Sequence, residues 1–89
     1  MVDRAVISNT EAASVTLADV ARGQTAWVKR IASDDTQFRQ RLQSMGVVKG
    51  TEILVDHTAP LGDPRVYALK GYRLTLRNSE ARHILVMLE

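Results

Sequence analysis

The chain has 89 residues, 45% hydrophobic and 25% charged, with a formal net charge of +2 and no cysteine. One domain is expected at this length, burying about 60–65% of the surface its unfolded chain exposes. Without cysteine there are no disulfide staples, thiolate metal sites or cysteine nucleophiles. The slight charge excess and 4% aromatic content argue against nucleic-acid binding.

In chain order, Met1 to Ser14 shows little periodicity and several small polar residues, and is expected to be a flexible tail. It lacks the apolar block of a secretory signal peptide. No apolar run in the chain approaches the roughly 20 residues of a membrane span. The domain proper is expected over residues 15–89, and a cytoplasmic, soluble protein without direct membrane insertion is the expectation. Leu17-Ala18-Asp19-Val20 is too short for a full helix and suits a turn that plugs one end of a barrel. Gly23-Gln24 marks a turn, and Thr25 to Ile31 reads as a strand. There Ala26 and Val28 face one way and Trp27 and Lys29 the other. Ile31 breaks the alternation, so a bulge is expected near Arg30.

Ser33-Asp34-Asp35 supplies helix-capping side chains, and the spacing predicts a helix from about Asp35 to Met45. Phe38, Leu42 and Met45 lie four and three apart and share one face. Burying each is worth roughly 1.5–3 kcal/mol of transfer free energy. Gly46 follows, where glycine takes the left-handed conformation that closes a helix without a Cβ penalty. Strands are expected over Thr51–Thr58, Arg65–Lys70 and Tyr72–Arg77, with Lys70-Gly71 as the bend between the last two. Ile53, Val55 and His57 are expected on one face of the first of these. Pro60, Gly62 and Pro64 bound an irregular loop. Asn78-Ser79-Glu80 looks like a second helix start. Ala81, Ile84 and Leu85 are expected to pack inward from that short turn, and Val86 to Leu88 to return as a closing strand.

Four motifs stand in order: Arg39-x-x-Leu42-x-x-Met45-Gly46, Gly50-Thr51-x-Ile53, Ala59-Pro60-Leu61-Gly62-Asp63-Pro64 and Gly71-Tyr72-x-Leu74-x-Leu76-Arg77. Together they resemble the FeoA family, the ferrous iron transport A proteins, from about Val15 to Val86. The resemblance implies an SH3-like barrel, and the residues themselves read as a mainly β fold, one small closed barrel of about five strands with one inserted helix and a short C-terminal helix. It also implies an accessory role in ferrous iron uptake, beside the cytosolic GTP-hydrolysing region of the transporter FeoB.

No catalytic constellation is present: there is no His-x-x-x-His pair, no clustered carboxylate box and no phosphate-binding glycine loop. An enzyme is not expected. His57 has Asp56 and Asp63 nearby in sequence, and His83 has Glu80. A weak Fe²⁺ or Zn²⁺ site at His57 is geometrically open, but no ligand spacing promotes it, so no cofactor is expected. The residues put forward for partner binding are Pro60, Leu61, Asp63 and Arg65 in the proline-bounded loop, and Arg39 and Arg41 on the wet side of the helix. Two prolines lower the entropy lost when such a loop is fixed. The alternative reading is a small basic barrel that self-associates weakly through edge strands or binds nucleic acid.

Overall fold

A computed structural model describes residues 15–88, so the tail expected over Met1–Ser14 lies outside them. The elements are β1 (Val15–Thr16), a 3₁₀ turn (Leu17–Asp19), β2 (Thr25–Ile31), α1 (Thr36–Ser44), β3 (Glu52–Thr58), β4 (Arg65–Leu69), β5 (Tyr72–Leu76), α2 (Asn78–Ala81) and β6 (Ile84–Leu88). The strands form one sheet in the order β1-β6-β2-β3-β4-β5, and every pairing is antiparallel. Inward residues from β2 to β6, among them Val28, Ile53, Tyr67, Leu76 and Ile84, join one core cluster, so the sheet wraps around it. The mainly β barrel with two helices is as expected, with a sixth strand added by the two residues of β1.

The barrel was expected to be closed. Instead β1 and β5 are the two ends of the strand order, and no ladder joins them among the described residues. A side chain bridges this end of the barrel. Arg65 at the start of β4 donates from Nη1 to Ala18 O at 2.7 Å and from Nη2 to Val20 O, both in or beside the 3₁₀ turn.

Helix α1 begins and ends as its sequence directs. The Asp35 carboxylate accepts the Phe38 N–H at 3.1 Å as N-cap. At the other end Gly46 has φ +94°. Its N–H reaches Gln43 O and the Val47 N–H reaches Leu42 O, both at 3.0 Å. These paired bonds form a Schellman ending, and its apolar contact is Leu42 with Val47, both fully buried. Leu42 is the α1 residue inside the core; Phe38 and Met45 lie half-buried against it.

The register shift expected near Arg30 lies between Val28 and Arg30, where β2 pairs with β6. A second shift, between Val55 and His57 on β3, was not anticipated. Its extra residue reverses the alternation. His57 stands opposite Val66, on the outer face, while Ile53 and Val55 point inward. His57 therefore does not share their face. Ile84 and Leu85, expected in a turn, are the buried start of β6.

Candidate partner-docking surface

The loop between β3 and β4 is built to hold its shape. The Gly62 N–H returns to Ala59 O at 2.7 Å, closing a four-residue turn with Pro60 second and Gly62 last, the places those residues favour. The Ala59 N–H donates to Pro64 O at 3.1 Å and closes the loop base. Helix α2 rivets the outer side: the Asn78 N–H donates to Asp63 Oδ1 at 2.8 Å, and Asn78 Nδ2 donates to Gly62 O at 2.9 Å. At the tip Leu61 is 96% exposed, against 55% for Met87, the next most exposed large apolar side chain described.

The proposed contact residues separate into two kinds. Pro60 and Leu61 face solvent, whereas Asp63 is exposed but turns its carboxylate back onto Asn78. Arg65 is a correction. It is 7% exposed, its guanidinium lies 5.6 Å from the Tyr67 ring centroid, and its Nη atoms hold Ala18 and Val20. Alternation along β4 carried the signal, since Arg65 shares a face with buried Tyr67 and Leu69. Arg39 is half-buried, donating to Ser33 O at 2.5 Å, and fixes the segment before α1.

Arg41 is on the surface, 54% exposed, with its Nη2 2.8 Å from Glu80 Oε2 and its guanidinium 5.6 Å from the Phe38 ring centroid. Glu80 also accepts the Arg77 N–H at 3.0 Å. That bond first, and Arg41 second, hold its carboxyl below the usual carboxylate range. Thus Asn78 anchors the loop and Glu80 anchors Arg41. Residues two apart in a helix do not share a face, so α2 stands between the two surfaces. Sequence reasoning missed both anchoring roles; Asn78-Ser79-Glu80 registered there as a helix start, and Glu80 also as a neighbour of His83.

The histidines have separate partners: His83 borders this surface beside Phe38 and Glu80, whereas His57 sits beside Asp56. His57 Nδ1 lies 3.5 Å from Asp56 Oδ1, and that carboxylate also takes Arg73 Nε at 2.6 Å. The Arg73 hydrogen bond lowers the Asp56 pKa. His83 Nδ1 lies 3.1 Å from Ala32 O, with its ring edge-on to Phe38. Among the described residues, no three His, Asp or Glu side chains gather as a metal would require. No described helix is long and apolar enough to cross a membrane.

Known proteins give this arrangement a family. A Porphyromonas gingivalis protein, an Fe(2+) transport protein A/Fe(2+) transporter FeoB fusion, is 36% identical over 72 residues. The alignment covers 81% of this chain but 8% of that protein, so the chain spans a small part of this relative. A FeoA-like protein from Clostridium acetobutylicum, solved by NMR, superposes with a TM-score of 0.76 at 39% identity, covering 84% of this chain and 86% of that one. FeoA of Stenotrophomonas maltophilia, solved with zinc and described as a prokaryotic SH3 domain protein, gives 0.73 at 28% identity, covering 82% and 89%. The sequence model of the FeoA domain matches residues 15–88, from the first residue of β1 to the last of β6, and the chain is a member of the FeoA family, which is associated with ferrous iron transport.

Proposed function

We propose that this protein is a cytoplasmic accessory factor of ferrous iron uptake that binds the cytosolic GTPase region of a FeoB transporter through the Leu61 loop. The observation that carries this reading is an apolar side chain, 96% exposed, at the tip of a loop hydrogen-bonded at its base and along its side. Such a side chain gains roughly 1.5–3 kcal/mol on complete burial, and a loop already fixed loses little further entropy when it docks. A relative that joins an A-type protein to FeoB in one polypeptide supports the choice of partner.

The domain brings to this surface a hydrogen-bonded loop and the short helix behind it. Its contribution there is shape, one apolar anchor and the fixed charges of α1 and α2. Arg41 can meet a carboxylate on the partner only by sharing or leaving Glu80, so it tunes the contact and Leu61 anchors it.

The test is retention of this protein by the cytosolic domain of FeoB, loaded in turn with GDP and with a non-hydrolysable GTP analogue. The parent is expected to be retained, and a folded Leu61→Asp variant to be lost. Equal retention of the variant removes the loop from the interface. Failure to retain the parent in either nucleotide state removes the proposed partner.

A further inference from the structure

At the opposite end of the β3–β4 hairpin the outer face of the sheet is uncovered. Leu54 and Ala68 are cross-strand partners there, and with Val48 they floor an open groove of about 630 Å³. The segment Val48–Glu52 borders it on one side and Ala68–Gly71 on the other. Each border contributes one lysine, Lys49 and Lys70. Neither has an ion pair among the described residues, and Glu52, which also lines the groove, pairs with neither.

Two observations show that Lys70 is placed. It is the one described non-glycine residue with positive φ, 49°, a conformation that glycine or asparagine adopts more readily. Its aliphatic stem also lies against Gly46: a Cβ built there would sit 3.0 Å from Lys70 Cδ. The side chain is thereby laid along the end of α1.

Five of the seven described acids are engaged by the domain itself, and of the other two, Asp34 and Glu52, only Glu52 lines the groove. Asp19, Asp35, Asp56, Asp63 and Glu80 each accept a hydrogen bond from the domain's own backbone or arginines. Two lysines against the one carboxylate of Glu52 leave a net positive charge around an aliphatic floor. We infer that this groove is a docking site for an acidic segment of a partner protein, its carboxylates meeting Lys49 and Lys70 while an apolar side chain rests on Leu54 and Ala68. A nucleic acid fits less well, because no aromatic ring lines the groove to stack on a base. The site lies about 20 Å from the Leu61 loop, along the seven residues of β3, and does not depend on that loop's partner.

The experiment is an NMR titration of the isotope-labelled full chain with a short blocked peptide in which aspartates flank a pair of leucines. Amides of residues 48–54 and 68–71 are expected to shift, those of 59–63 to stay, and the shifts to weaken as salt is added. A peptide with lysines in place of the aspartates should leave the spectrum unchanged. The double variant Lys49→Gln/Lys70→Asn should bind about tenfold more weakly. Asparagine suits the left-handed backbone, so that variant keeps the turn while removing both charges and the Lys70 stem. No shifts at these amides, equal shifts with the lysine peptide, or full binding by the double variant overturns the proposal. So do concentration-dependent shifts of the same amides without peptide, which assign the groove to a second copy of the chain. None of these outcomes depends on retention by FeoB.

Discussion

Replacing Arg65 with methionine tests whether one side chain substitutes for a missing ladder. Arg65 is 7% exposed and gives two charged hydrogen bonds to backbone carbonyls of Ala18 and Val20. Hydrogen bonds of that kind contribute about 1.5–3 kcal/mol each, and the stacking over Tyr67 about 0.5–2 kcal/mol. Against this stands the desolvation of a guanidinium whose Nε–H has no partner among the described residues, a penalty of several kcal/mol that methionine does not carry. Methionine fills much of the same volume but leaves both carbonyls without a donor. The net loss should be about 2–4 kcal/mol. A domain of 89 residues has roughly 4–13 kcal/mol in all, so much of its stability would go. Thermal melts followed by circular dichroism should show Tm falling by at least about 10 °C. Arg65→Lys should lie between, because one ammonium lacks the planar fork that reaches two carbonyls. A methionine variant melting within about 2 °C of the parent would refute the claim that Arg65 bridges the open end.

Leu61→Asp should leave stability within about 0.5 kcal/mol of the parent, because the side chain is already 96% exposed; a larger loss in urea melts would mean the loop tip packs on the barrel. Gly46→Ala should lose about 1–2 kcal/mol, with positive φ and the Lys70 stem both opposing a Cβ; a change under about 0.5 kcal/mol at unchanged m would discount this close approach. For Glu80, the folded protein keeps the carboxylate charged to lower pH than the unfolded chain does. The unfolded chain therefore binds more protons in that window, and the stabilisation present at neutral pH is lost as pH falls through the carboxylate range. Glu80→Gln should be about 1 kcal/mol less stable at neutral pH, and the gap should close below about pH 4. A gap that persists in acid would assign the effect to something other than charge.

Much of the architecture was legible because local signals and the buried pattern agree. Asp35, the Phe38-Leu42-Met45 row and Gly46 together specify where α1 starts, which way it faces and where it stops. Ile31 disclosed its bulge by falling out of step with Ala26 and Val28. The bulge on β3 gave no such sign. Alternation carried His57 onto the face of Ile53 and Val55, and the pairing with β4 decided otherwise. Arg65 was misread because charge suggested solvent, while its period along β4 pointed inward with Tyr67 and Leu69. The anchoring of the Leu61 loop by Asn78 spans fifteen residues or more of sequence, and no short-range rule discloses it. Two-residue β1 is too brief to carry a period of its own.

That same brief strand has a bearing on how the domain can be joined to other proteins. Val15 pairs with Val86 about 5 Å away, so the first described residue lies beside the last strand, two residues before that strand ends at Leu88. A neighbouring polypeptide can be attached at either end, or the domain spliced into a host loop, without prying strands apart. Circular permutants joining Leu88 to Val15 through a short linker should fold.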